Sequence, residues 1–212
     1  MKRLTAFLVL AAALIGGGCA TVHHEATSLD QVGADTVLVV GRIELVPPLS
    51  AEEQHIDMGL DPLGVKNYHV GRAILFMSDR PLYQDHTSNA INPPLEQTWF
   101  IALPKVQRYM VRGSVTMSYS HRAVNRRQVA VDQDELLFPG LLEFDLQAGD
   151  RSVYIGTLRL HRDEFHSVTR AEIVDDYPRA LKTYRERFGA DAPLRRALAK
   201  PVKSEAALAA PR

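Results

Sequence analysis

The chain has 212 residues, with 25 lysines and arginines against 25 aspartates and glutamates. That balance excludes the strongly basic surface with which a domain holds nucleic acid, so no nucleic-acid partner is expected. A single cysteine excludes a disulfide framework, and any fold must rest on buried apolar side chains.

Lys2 and Arg3 precede an uncharged apolar run at residues 4–15, and Gly16-Gly17-Gly18 lead into Cys19. This is the layout of an export signal. The run is well short of the ~20 residues that a permanent membrane span requires. Small residues before the only cysteine resemble the lipobox of bacterial lipoproteins, in which the thiol is diacylglycerylated and the new N-terminus acylated. One departure is Gly16, which stands three residues before the cysteine, where leucine is usual. The resemblance implies a signal peptide over 1–18, lipidation at Cys19 and a membrane reached through that anchor. Ala20, rather than aspartate, follows the cysteine, which in the family implies the outer membrane with the domain facing the periplasm. A single acyl chain binds only reversibly, at ~0.8 kcal/mol per methylene, whereas three make attachment permanent.

Residues 19–34 are then the lipidated N-terminus and a flexible tether, small and polar without sustained periodicity. Residues 35–175 carry a two-residue rhythm. Val37, Val39, Gly41, Ile43 and Leu45 share one face of a strand over 36–46, with Arg42 and Glu44 on the other. Pro47-Pro48 ends it, and residues 49–67 carry turn chemistry. Residues 70–77 read as a central strand and 79–94 as a long polar loop. Short strands follow at 98–103 and 127–131. The clearest alternation runs from Tyr109 to Tyr119, with Val111, Gly113, Val115 and Met117 on the same face. Residues 138–146 and 152–161 read as a hairpin about Ala148-Gly149-Asp150, with Tyr154, Gly156, Leu158 and Leu160 inward. Residues 168–174 form the last strand.

Residues 176–200 turn helical. Asp176 caps, Pro178 occupies the first turn, and Tyr177, Leu181, Tyr184 and Phe188 make an apolar stripe that ends at Gly189. A shorter helix is expected at 193–200, and 201–212 as a disordered alanine-rich tail. The fold class predicted is mainly β: an antiparallel β-sandwich, immunoglobulin- or transthyretin-like, with a C-terminal amphipathic helix. The segments RYMVRGSVTMSY and DRSVYIGTLRL are loosely similar to transthyretin-like and carboxypeptidase-regulatory-like sandwiches of exported lipoproteins, which bears on fold and not on activity.

Chemical motifs are sparse. His23-His24 lies in the tether without a scaffold to fix ligand geometry. His161 and His166 flank a turn holding Asp163 and Glu164, and read as turn residues rather than zinc ligands. Asp132, Asp134 and Glu135 lack the glycine and terminal glutamate of a calcium loop and read as a polar turn. Ser114 stands mid-strand on the outward face, without a nucleophile elbow. Glu143 and Asp145 share the wet face of a strand, as alternation alone explains. His121-Arg122, Arg126-Arg127 and the helix cations Arg179, Lys182 and Arg185 read as solvated. No metal site, cofactor or catalytic residue is assigned. The expectation is a non-catalytic outer-membrane lipoprotein, a binding or assembly module with an envelope protein partner. Two alternatives stay open: an envelope hydrolase acting on cell-wall glycan or peptide, and a small-ligand carrier using a pocket between the sheets.

Overall fold

The computed structural model describes residues 22–23, 25–51, 53, 71–81, 89–122, 129–165 and 167–202. For 22, 23, 89, 116–122, 129–135 and 137–141 it describes the backbone alone. The export signal, Cys19, His24, Arg126, Arg127, His166 and residues 203–212 lie outside the described residues.

Two sheets pack face to face, and a helix covers part of one of them. Sheet A contains β1 (Val22–His23), β3 (Ala73–Ser78), β4 (Asn89–Ile91), β6 (Tyr109–Arg122), β7 (Val129–Glu143) and β11 (Lys200–Pro201), in the order β1-β4-β3-β6-β7-β11. Sheet B contains β2 (Thr36–Val46), β5 (Thr98–Pro104), β8 (Ser152–Arg162) and β10 (Arg195–Arg196), in the order β10-β8-β2-β5. β9 (Val168–Val174) pairs with the second half of β8. Between the sheets lie Val37, Val39, Ile43, Leu45 and Trp99 from sheet B, facing Leu75, Met77, Ile91, Val115 and Leu136 from sheet A. Gly41 is needed here, because a Cβ on it would come within 2.4 Å of the Trp99 ring.

The sandwich with one helix near its C-terminal end agrees with the sequence, but the pairing is mixed. β8 runs parallel to both β2 and β10, and β1 runs parallel to β4. The expected hairpin of 138–146 with 152–161 does not form: β7 pairs with β6 and β11, whereas β8 pairs with β2, β9 and β10. The turn at Ala148-Gly149-Asp150 carries the chain from one sheet to the other. Asp150 fixes that corner by accepting from Arg195 Nε at 2.7 Å, Arg195 Nη2 at 2.6 Å and the Gln147 N–H at 2.7 Å. Burial pushes the Asp150 carboxyl up, but these bonds outweigh it and leave the group below its usual range.

Strand alternation also breaks where sequence reading kept it continuous. Val153 and Ile155 face the inter-sheet core, as do Leu158 and Leu160, while Tyr154 faces the opposite side. The register with β2 slips between Val40 and Arg42, opposite an extra residue in β8. Gly156 occupies this bulge at φ 104°, and a Cβ there would lie 2.6 Å from the Ile173 side chain. β6 does the same: the register shifts between Met110 and Arg112, so both Met110 and Val115 reach the core. Residues 129–143 form one long strand, not two short ones separated by a turn. Asn89–Ile91, read as loop, adds a strand because Ile91 is buried in the core.

The outer face of sheet B is covered at one end by α1 (Tyr177–Phe188), whose apolar stripe packs on Leu38, Val40, Phe100 and Tyr154. Tyr184 is fully buried and its hydroxyl donates to Ser152 Oγ at 2.8 Å. Asp176 makes no side-chain cap bond; Asp175 Oδ1 accepts from the Tyr177 N–H instead, at 3.2 Å.

Residues 25–34 are not a free tether. Glu25 bridges Ile101, the Ala26 N–H donates to the Phe100 carbonyl at 2.7 Å, and Ala26 and Val32 are buried beside α1. They cover the open edge of β5, whose backbone groups would otherwise lack partners. Arg187 clamps the segment, with Nη1 2.7 Å from Glu25 and the guanidinium 4.9 Å above the Phe100 ring.

Residues 193–200 are extended rather than helical. After β10, Ala197 and Ala199 donate to the Tyr154 and Ile155 carbonyls at 2.8 Å, both alanines enter the core, and β11 then joins β7. This strap stitches sheet B to sheet A, and small alanines let it pass between them.

Candidate functional site

Beyond Gly41 and Gly156, the outer face of sheet B leaves the cover of α1 and becomes charged. β2 contributes Arg42 and Glu44, β8 contributes Arg159 and His161, and β9 contributes Arg170 and Glu172. Alternation puts these side chains on the face opposite Ile43, Leu45, Leu158 and Leu160. Glu44 accepts from Arg42 Nε at 2.6 Å and from Arg159 Nη2 at 3.0 Å, with Arg179 of α1 at 3.9 Å. Glu172 meets His161 Nε2 at 3.1 Å, Arg159 at 3.8 Å and Arg170 in a short contact. Glu96 adjoins the row, 3.5 Å from Arg42, and holds a left-handed backbone at φ 60°. Its N–H donates to the Ile43 carbonyl and its carboxylate accepts from the Leu45 N–H, so it extends the β2 edge just before β5 begins.

Glu44 and Glu172 are set to stay ionised. Burial raises Glu44, but bonds from Arg42 and Arg159 overcome it and hold the group below its usual range. His161 and Arg170 lower Glu172 in the same way. A row of ionised carboxylates locked to arginines can exchange ion pairs with a charged partner.

The inner face of the same region ends in a buried pair. Arg162 and Glu53 are 9% and 7% exposed. The guanidinium grips both carboxylate oxygens, one at 2.8 Å, and also donates to the Pro47 and Pro48 carbonyls at 2.9 and 2.8 Å. The Arg162 bonds, working against burial, lower the Glu53 carboxyl to about 2. Ser50 and Glu53 exchange the reciprocal bonds of a helix-start box, at 2.7 and 3.2 Å. That Ser-x-x-Glu spacing was the one sequence signal for this pair.

The sandwich is open along its β7–β9 edge. A cavity of about 270 Å³ lies there, lined by Met110 and Leu142 of sheet A, Leu158, Ala171 and Ile173 of sheet B, and Ala199 and Pro201 of the strap. Glu172 also borders it, but its carboxylate is turned to the opposite face, onto His161 and Arg170.

The residues singled out from sequence are scattered. Asp163 forms the expected turn, its Oδ1 accepting from the Phe165 and Ser167 N–H groups at 3.0 and 2.9 Å, and Phe165 stands 78% exposed at the tip. His161 binds Glu172 on the neighbouring strand. Asp132, Asp134 and Glu135 lie within β7, opposite Tyr119, Met117 and Thr116, and not in a turn. Ser114, expected on a wet face, is buried, a small side chain between cross-strand neighbours Ile74 and Leu137. Glu143 is exposed at the end of β7, and Asp145 lies 3.6 Å from Arg195. His121 and Arg122 end β6, and Lys182 pairs loosely with Glu186 at 4.0 Å. Among the described residues, no three His, Cys, Asp or Glu are grouped to hold a metal ion. No described helix is long and apolar enough to cross a membrane. Sequence reading missed Arg159, Arg170, Glu172 and Glu96, because what joins them is the register of three strands and not their spacing.

Comparison with family models, with curated proteins and with solved structures gave no match to this chain.

Proposed function

We propose that the chain is a lipid-anchored protein of the outer membrane whose sandwich is a non-catalytic binding or assembly module facing the periplasm. The observation that carries this reading is the run of residues 4–15 followed by Gly16-Gly17-Gly18-Cys19. Val22 already belongs to the edge strand of sheet A, so an acylated Cys19 would have only Ala20 and Thr21, roughly 10 Å of extended chain from Cys19 to Val22, before the domain begins. The domain then rides on the bilayer itself instead of a long tether. The charged row of sheet B supports recognition, since Glu44 and Glu172 are each paired with arginines that a charged partner could exchange for its own groups.

Two experiments test the two halves of the reading. Cys19→Ser should take up no labelled palmitate and remain an uncleaved precursor; normal processing of the variant, with no lipid on the wild type, overturns the anchor. Separately, alanine at His161, Glu143 or Asp145 should leave a deletion strain complemented. Inserting about fifteen Gly/Ser residues between Cys19 and Val22 should impair complementation, because a partner at fixed height is then met at lower effective concentration. One alanine variant dead and the long-linker variant normal would favour the envelope hydrolase.

A further inference from the structure

We propose that the cavity at the β7–β9 edge binds the acyl chain of a fatty acid. This goes beyond the module reading and stands whether or not Cys19 is acylated. The core reaches solvent along this edge: Leu142, Leu146, Val168 and Ile173 are its partly buried apolar side chains, and all belong to β7, β9 or the turns beside them. Ala171 marks the mouth. Its register partner Leu160 is buried in the core, yet Ala171 itself is exposed, so a small residue leaves open a position that a larger one would close. Apart from Glu172, whose carboxylate is turned away, the lining side chains are apolar and favour an occupant whose buried part needs no hydrogen bond. An apolar lining open at one side favours an apolar occupant that displaces water from it. A volume of about 270 Å³ holds roughly nine groups of ~30 Å³, the share of a water molecule and close to that of a methylene. A slot between two strand edges suits a chain that enters end-on and leaves its polar head in water.

The test uses residues 20–212, which contain every described element and the whole core, with ¹³C-methyl methionine as reporter. Butyrate, octanoate and dodecanoate are titrated below their micellar concentrations. The Met110 methyl, on the cavity wall, should shift saturably, and by more than that of Met77, its cross-strand neighbour in sheet A, which does not line the cavity. Affinity should rise about fourfold per added methylene, the equivalent of ~0.8 kcal/mol, until the slot is full near the eighth or ninth. Ala171→Phe should abolish the Met110 shift while leaving the thermal midpoint within a few degrees; if it does not fold, Ala171→Leu should weaken binding at least tenfold. No saturable Met110 shift with dodecanoate, equal affinity for all three acids, or wild-type affinity in the Ala171 variants would each overturn the proposal.

Discussion

Strands β2 and β8 run side by side through two environments. In their first half Leu38, Val40 and Tyr154 point outward into the helix-covered layer and are buried. In their second half Arg42, Glu44, Arg159 and His161 hold the same outward positions and meet water and one another. The backbone pairing is the same parallel ladder, interrupted only by the bulge at Gly156. What differs is whether a third layer lies above. One half fixes the fold, and the other offers a charged face held by strands that cannot move independently of it. Binding energy on such a face comes from exchanging ion pairs, whereas stability in the covered half comes from apolar burial.

The largest effect expected tests the inner side of the charged half. Arg162→Met leaves the Glu53 carboxylate buried without its partner, and breaking a buried pair in this way typically costs ~3–5 kcal/mol. The pH dependence carries a sign. The folded Glu53 titrates near 2 against an ordinary 4.5, so its stabilisation is complete above about 4.5 and is lost as pH falls from there through 2. Urea unfolding of wild type and variant at pH 7 and pH 3 should therefore show a gap that narrows in acid. A gap under ~1 kcal/mol at pH 7 would mean that the Arg162–Glu53 pair contributes no more than an exposed ion pair.

A middle-sized contrast sets the two outer faces against each other directly. Phe188 meets Phe100 edge-on at 5.3 Å and Tyr184 at 5.1 Å, and is partly buried. Phe188→Ala should cost about 2 kcal/mol, below the ~3–5 of a fully buried ring, and be indifferent to salt. Arg159→Ala removes bonds to Glu44 and Glu172 on a solvated face and should cost under ~1 kcal/mol, shrinking further in 0.5 M salt. Equal, salt-sensitive losses would erase the distinction between the halves.

Sequence carried the strands whose faces differ most. Residues 36–46, 98–103 and 168–174 alternate, or pack, as their side chains dictate, and the stripe of Tyr177, Leu181, Tyr184 and Phe188 foretold both a helix and its burial. Legibility failed where a local rule met a non-local constraint. One residue inserted at Gly156 reverses the inward set in the first half of β8, where Val153 and Ile155 replace Tyr154, while Leu158 and Leu160 stay inward as expected. Nothing in the spacing of Tyr154 and Leu158 announces it. Residues 193–200 have helical composition, yet the carbonyls of Tyr154 and Ile155 and the gap between the sheets claim them as an extended strap. Residues 25–34 look like linker because a polar segment needs only a few buried groups, here Ala26 and Val32, to dock. The charged row escaped for the same reason: Glu44, Arg159 and Glu172 are far apart in sequence and become neighbours only through strand register.

The smallest effect concerns the entrance to α1, where the covered half of sheet B begins. A sequence rule assigns the cap to Asp176, the residue just before the helix. In the fold the Asp176 N–H donates to the Tyr154 hydroxyl at 3.0 Å, and its carboxylate reaches only Arg179, 3.8 Å away and exposed. Asp175 supplies the oxygen for the Tyr177 N–H and also pairs with Arg196 of β10. Asp176→Ala should therefore change stability by less than ~0.5 kcal/mol, as for an exposed side chain without a specific role. Asp175→Ala should cost about 1 kcal/mol, the usual worth of a cap oxygen. Asp175→Asn separates the contributions of Asp175: it keeps the cap oxygen and removes the charge that faces Arg196, so it should recover most of the loss. Recovery by asparagine means that helix α1 is started by a neutral acceptor and the Arg196 pair adds little, as for other half-exposed ion pairs. If Asp176→Ala proves the costlier change, the cap lies where the sequence rule puts it, and the entrance to α1 differs from the geometry described.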